Sequence, residues 1–196
     1  MTTTCLLVRH AAYDGGFLAG REKDAGLGEA GRAQAKKLGM RLARGNVDAI
    51  FTSPRERAVE TAAAIVSARG NQDAMLAEAL DEVDFGSWSG RTLEELGADP
   101  AWRRWNEVRS LCRAPGGESM LDVQHRVLSF LEQVTGHGSR RLIFVTHAEV
   151  IRVAVSYYLG LSVDAWPRFE IAPASITTVV VGDWGAKLTG LNEVDF

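Results

Sequence analysis

The sequence predicts an α/β fold, a three-layer α/β/α sandwich around a mainly parallel central sheet with an antiparallel hairpin at its C-terminal edge. Three observations carry that expectation. Short apolar runs that end in polar or charged residues, CLLVRH, DAIFTSP and RLIFVTH, have the form of buried strands. Helical patterns lie between them, and such alternation favours parallel strands with helices on both faces. The last stretch, ASITTVVVGDWGAKLTGLN, contains two strand-like runs that can fold back at GDWG.

Taken in order, CLLVRH is the first strand. GEAGRAQAKKLGMRLARG follows as a helix, placing Ala33, Leu38 and Leu42 on one face and stopping at Gly45. DAIFTSP is the next strand, stopped by Pro54. PRERAVETAAAIVSARG is then a helix with proline in its first turn and Gly70 at its end. The stretch from about Met75 to Gly117 carries little strand signal and three tryptophans, Trp88, Trp102 and Trp105. It is expected to be helical, with an insertion at about 88–117 that overhangs the site as a lid. ESMLDVQHRVLSFLEQVTG and AEVIRVAVSYYLG supply two more helices around the strand RLIFVTH.

The 196 residues suit one domain, expected to run over 1–196. At 46% hydrophobic and 24% charged the composition is that of an ordinary globular protein. The formal net charge of -3 offers no basic face for nucleic acid, so an anion site must be local. Cys5 and Cys112 are too few for a disulfide framework and lack zinc-ligand spacing. Cys5, inside an apolar strand, reads as core. The N-terminus lacks the cationic segment of a secretory signal, and no apolar run approaches a membrane span. The expected location is the cytoplasm, with no membrane contact. The hairpin strands and Trp184 are a candidate homodimer surface.

In open α/β sheets, ligands bind beyond the carboxyl ends of the strands. Three predicted strands end on Arg9-His10, on Ser53-Pro54 just before Arg57, and on Thr146-His147 at the start of a helix. Each alone has a bland explanation: an Arg-His pair is common, an arginine on a first turn is usually solvated, and a strand-end histidine is usually structural. Their coincidence at three strand ends makes an anion hole. Arginine forks match phosphate oxygens, and a helix N-terminus adds free N–H groups. A histidine can attack phosphorus through one ring nitrogen when a backbone carbonyl holds the other. A leaving alkoxide needs a proton, and Asp81, Glu82 and Asp84 crowd together as candidate donors, which spacing alone does not separate. His125 and His137 read as a helix residue and a loop residue.

These segments resemble the histidine phosphatase superfamily, which includes the cofactor-dependent phosphoglycerate mutases. LLVRHA is similar to its N-terminal RHG motif, DAIFTSPRERAVETA to the segment of its second phosphate-binding arginine, and LDEVDFGSWSG to the proton-donor stretch. APGGES resembles a recurrent turn before the penultimate helix, and FVTHAEVIR the segment of the second catalytic histidine. The order is preserved from about Thr4 to the C-terminal hairpin. The resemblance implies His10 as the nucleophile that becomes phosphohistidine, Glu82 as the general acid, and Arg9, Arg57 and His147 as phosphoryl ligands, with His147 also catalytic. It implies no metal and no cofactor, and a small phosphorylated metabolite as partner. Ala11 stands in place of the usual glycine, Gly16 in place of an asparagine, Ser89 in place of the glutamate of WEG, and Ala148 and Glu149 in place of small residues. Ala11 is expected to crowd the phosphate, Ser89 to alter substrate fit, and Glu149 to select against highly charged substrates. Arg21, in AGREKD, is a candidate substrate contact against the alternative of a solvated loop charge.

A metal-independent phosphomonoesterase is therefore the leading expectation. A phosphoglycerate mutase is the alternative within enzymes, and a non-catalytic phosphate-binding domain the alternative outside them. A protein phosphatase for phosphohistidine or phosphotyrosine would need a more open site.

Overall fold

The computed structural model describes residues 1–21, 25–70, 72–136, 138 and 140–194, so His137 lies outside the described residues. Six strands form one sheet: β1 (Thr2–Arg9), β2 (Ala49–Thr52), β3 (Ala74–Leu76), β4 (Arg141–Thr146), β5 (Ile176–Gly182) and β6 (Gly185–Glu193). Their spatial order is β3-β2-β4-β1-β5-β6. The first four are mutually parallel, β5 runs antiparallel to β1, and β5 and β6 form the edge hairpin. The helices are α1 (Glu29–Leu42), α2 (Glu56–Arg69), α3 (Leu93–Ala98), α4 (Pro100–Glu107), α5 (Met120–Thr135) and α6 (Ala148–Tyr158).

Alternation along the central strands sorts side chains into two cores. Leu6 and Val8 of β1 and Ile143 and Val145 of β4 pack with Leu38 and Leu42 of α1 and Ala58, Ala62 and Ile65 of α2. Cys5, Leu7, Leu142 and Phe144 point the other way, against Val123, Val127 and Leu131 of α5 and Ile151 and Val155 of α6. Burying each of the large aliphatic side chains contributes about 1.5–3 kcal/mol. This sandwich is the architecture expected from the sequence.

Three local expectations need correction. The 75–117 stretch is not free of strand: Ala74–Leu76 pairs in parallel with Ile50–Thr52. This short edge strand leaves Met75 and Leu76 exposed, so it lacks the apolar run that marks a buried strand. Ala33 is exposed, while Gly31, Ala35, Leu38, Gly39 and Leu42 form the buried face of α1. Pro54 lies outside α2, whose N-cap is Arg55.

Two glycines let α1 approach its neighbours. A Cβ on Gly39 would lie 2.6 Å from the Ala64 carbonyl oxygen of α2, and one on Gly31 only 1.8 Å from that of Ala12. The second contact presses α1 against the loop that follows β1. The 88–117 region folds into α3, α4 and a short 3-10 turn at Arg109–Leu111, and Trp88, Trp102 and Trp105 pack together. Among the described residues no helix is long and apolar enough to cross a membrane.

Candidate active site

Strand register assembles the site. Arg9 of β1 pairs with Thr146 of β4, so the next residue of each strand, His10 and His147, leaves the sheet beside the other. Their ring centroids are 5.1 Å apart, and His10 N–H donates to the Thr146 carbonyl at 2.9 Å. On the other side of β4, Ser53 N–H donates to the Val145 carbonyl at 2.9 Å. That pairing brings the end of β2 to His147, whose Nε2 lies 2.7 Å from Ser53 Oγ. Arg57 follows on the first turn of α2, is 1% exposed, and places Nη2 3.3 Å from His147 Nδ1.

His10 is buried, and its Nδ1 donates to the Ala11 carbonyl at 2.7 Å. Burial, with the Arg57 and Arg9 charges, pushes its pKa down to about 3. The ring is therefore neutral at ordinary pH. With its one proton on Nδ1, Nε2 keeps a free lone pair. Burial first, and then His10 and the arginines, holds His147 well below the usual histidine range. Arg9 donates through Nη1 to the Ile171 carbonyl at 2.6 Å, and its buried Nε has no hydrogen-bond partner among the described residues. Thr61 Oγ1 accepts from Ala11 N–H at 3.0 Å, tying the loop after His10 to α2.

The three candidate acids separate by direction. Asp81 faces Arg55 Nε at 2.9 Å and accepts from Glu82 N–H at 2.7 Å. Asp84 accepts from Gly86 N–H at 2.9 Å. Only Glu82 of the three lines the cavity that holds His10. Its Oε2 lies 3.5 Å from His147 Nδ1 and 3.8 Å from Arg57 Nη2. Burial raises its pKa against the pull of Arg57. A carboxyl that resists ionisation is suited to protonating a leaving oxygen.

Arg21 is not among the residues lining this cavity. Its Nε donates to the Glu82 carbonyl at 2.7 Å and its Nη2 to Glu118 Oε2 at 2.8 Å. In this structure Arg21 thus holds the backbone of Glu82. Arg126 does the same from α5, donating to the Ala79 carbonyl at 2.7 Å and the Glu82 carbonyl at 3.1 Å. Glu118, from the APGGES turn, accepts from both arginines and from Asp84 N–H at 3.0 Å.

The cavity has a volume of about 410 Å³. Arg9, His10, Arg57 and Glu82 line it, together with Tyr13, Trp102, Trp105, Asn106, Arg109, Glu149, Arg152 and Trp166. A larger groove of about 590 Å³ runs between α1 and Ala172–Ala174, but no histidine or carboxylate is among its lining residues.

A family model described as histidine phosphatase superfamily (branch 1) matches residues 5–194. The chain belongs to the histidine phosphatase superfamily. It is 33% identical over 180 residues to phosphoserine phosphatase 1 of Hydrogenobacter thermophilus, covering 89% of this chain and 84% of that one. It is also 34% identical over 162 residues to a 2,3-bisphosphoglycerate-dependent phosphoglycerate mutase of a Methylobacterium species, covering 76% of each. Among solved structures, Bacillus stearothermophilus YhfR superposes with a TM-score of 0.91 at 27% identity over 98% of both chains.

Where this histidine phosphatase departs from the pattern, the structure relocates the consequence. The Ala11 methyl is fully buried in a cluster with Leu27 and Ala35, and Ala11 is not a cavity-lining residue. Gly16 is exposed and away from the cavity. Ser89 packs beneath Gly20, which does line it. Glu149 is held by Arg109 and by Arg152, the latter at 2.6 Å, so it does not confront an anion alone. Sequence reasoning missed Tyr13, Arg109, Arg152 and Trp166. The one available signal was the three-residue spacing of Glu149 and Arg152, which puts them on one helix face.

Proposed function

We propose that this member of the superfamily hydrolyses small phosphomonoesters through a phosphohistidine on His10. The observation that carries this reading is the His10 Nδ1–Ala11 hydrogen bond. It leaves Nε2 as an unprotonated nucleophile in a cavity that Arg9, Arg57 and the raised-pKa carboxyl of Glu82 also line. Arg9 and Arg57 bind the phosphoryl oxygens and offset the charge that spreads over them in the transition state. His147, neutral and held by Ser53, is fully buried and does not line the cavity; it stands behind the site, where its Nδ1 lies 3.3 Å from Arg57 Nη2 and orients that arginine. Glu82 gives its proton to the departing alkoxide. Its carboxylate then takes a proton from the water that attacks the phosphohistidine, which restores both groups.

The volume of the cavity and its aromatic wall suit a small alcohol rather than a folded protein surface. The relationship to a phosphoglycerate mutase keeps phosphoryl transfer between alcohols as a second reading. One experiment addresses both. Inorganic phosphate release from a panel of monoesters in EDTA is compared with isomerisation of 3-phosphoglycerate, for wild type and His10→Ala. Release that vanishes in His10→Ala, with an acid-labile phosphoenzyme trapped in wild type, is the expected result. Isomerisation without net release supports the mutase reading, and release that survives in the variant removes His10 as nucleophile.

A further inference from the structure

Two arginines beyond Arg9 and Arg57 anchor clusters of their own, and only one of them faces the cavity. Arg109 lines it and stacks on Trp105 and Trp166, its guanidinium carbon 4.1 Å and 3.7 Å from the two ring centres. Arg126, on α5, does not line it. Its fork meets Glu118 instead, Nε donating to Oε1 at 2.9 Å and Nη2 to Oε2 at 3.1 Å. Nη1 also donates to the Ala79 carbonyl at 2.7 Å, and Nη2 to the Glu82 carbonyl at 3.1 Å. All three nitrogens of Arg126 are thus engaged within the protein.

What they grip bears on the acid. The Glu82 carbonyl and the Val83 N–H belong to one planar peptide group. That N–H donates to Glu82 Oε1 at 2.9 Å, which leaves Oε2 as the oxygen facing His147 and Arg57. Turning the peptide plane would carry the N–H away from Oε1 and release the carboxyl. Arg126 opposes that turn from the carbonyl side, and Arg21 Nε donates to the same carbonyl at 2.7 Å. Glu118 Oε2 accepts from Arg21 Nη2 at 2.8 Å and from Asp84 N–H at 3.0 Å, so one carboxylate ties both arginines to the chain just beyond Val83.

We propose that Arg126 is a positioning residue for the general acid: by fixing the Glu82–Val83 peptide plane it aims Glu82 Oε2 at the leaving oxygen, and Glu118 holds Arg126 in the orientation this needs. This rests on the phosphatase reading above. Arg126 and Glu118 do not line the cavity, so the grip of Arg9 and Arg57 on the phosphoryl group is independent of them.

Two esters test it. The leaving oxygen of n-propyl phosphate needs a proton, and that of p-nitrophenyl phosphate does not. The measured quantity is kcat/KM, which reports formation of the phosphohistidine. Arg126→Gln is expected to lower it roughly 10- to 100-fold on n-propyl phosphate, as misplacement of a general acid does, and by less than about threefold on p-nitrophenyl phosphate. Inhibition by inorganic phosphate stays near that of wild type. Arg126→Lys recovers little, because one ammonium cannot replace a fork that serves a carboxylate and two carbonyls together. Glu118→Gln shows the same selectivity at smaller size, and carries the test where Arg126→Gln does not fold. Losses of equal size on both esters, a matching weakening of phosphate inhibition, or no loss at all overturns the positioning role. Indifference of Glu82→Gln to the leaving group, with both esters hydrolysed by wild type, overturns the acid assignment beneath it. Hydrolysis of neither ester by wild type, with none elsewhere in the monoester panel, overturns the phosphatase reading itself.

Discussion

Burying His10 as a neutral ring has a measurable cost in acid. In the unfolded chain this histidine titrates near 6.5, whereas in the fold burial and two arginines hold it at about 3. Between those values the unfolded chain carries the additional proton, so stability falls as pH drops below about 6.5. The slope approaches 1.4 kcal/mol per pH unit. From pH 8 to pH 4.5 the loss through His10 alone is about 2 to 3 kcal/mol. His10→Gln removes the titrating group and keeps a side chain able to hydrogen-bond. Urea unfolding of wild type and variant at both pH values gives four free energies. Any fixed effect of the substitution cancels in their double difference; His147, whose pKa His10 also lowers, is relieved in the variant and adds to the gain. The variant is expected to gain about 2 to 3 kcal/mol on wild type between pH 8 and pH 4.5. Parallel pH dependence of the two proteins would refute the neutral, buried nucleophile.

Catalysis should show the same titrations. The proposed mechanism requires an unprotonated His10 and a protonated Glu82, so it predicts that kcat/KM falls on the acid side only as pH approaches about 3. On the same mechanism activity falls again as pH rises through the raised pKa of Glu82, which gives a bell-shaped profile. Glu82→Gln is expected to cost roughly 10²–10⁴ in kcat on alkyl phosphates and far less on p-nitrophenyl phosphate, whose leaving group needs no proton. Ser53→Ala leaves the buried Nε2 of His147 unpaired; chemical denaturation should show a loss of about 1–3 kcal/mol, with a fall in kcat/KM. Gly31→Ala drives a methyl into the Ala12 carbonyl, and a destabilisation of about 1–3 kcal/mol is expected in thermal unfolding, with lower activity because Ala12 adjoins the nucleophile loop.

The inner site was largely legible in the sequence because it lies at strand ends. Apolar runs located β1, β2 and β4, and the residues just beyond them, His10, Ser53 and His147, are neighbours wherever those strands are. Choosing Glu82 among three adjacent carboxylates needed side-chain directions, which spacing does not encode, or the family resemblance. The ties of Arg21 to Glu118 and to the Glu82 carbonyl were not legible, because those partners are distant in sequence. The cavity wall at Arg109 was hidden for the same reason: Arg109 and Trp166 meet through tertiary packing, with 56 intervening residues. β3 escaped notice because an edge strand with two exposed side chains has no hydrophobic signature.

The Trp105–Arg109–Trp166 stack joins a short helical excursion to the segment after α6, while His10 and His147 stand at the ends of β1 and β4. The two parts of the enzyme are therefore separable in inheritance. Drift in α4 can reshape the cavity wall at Trp102, Trp105 and Asn106 without moving the strand ends that carry His10 and His147. By contrast, a one-residue slip between β1 and β4 would turn every side chain of the slipped strand to the opposite face and part the two histidines.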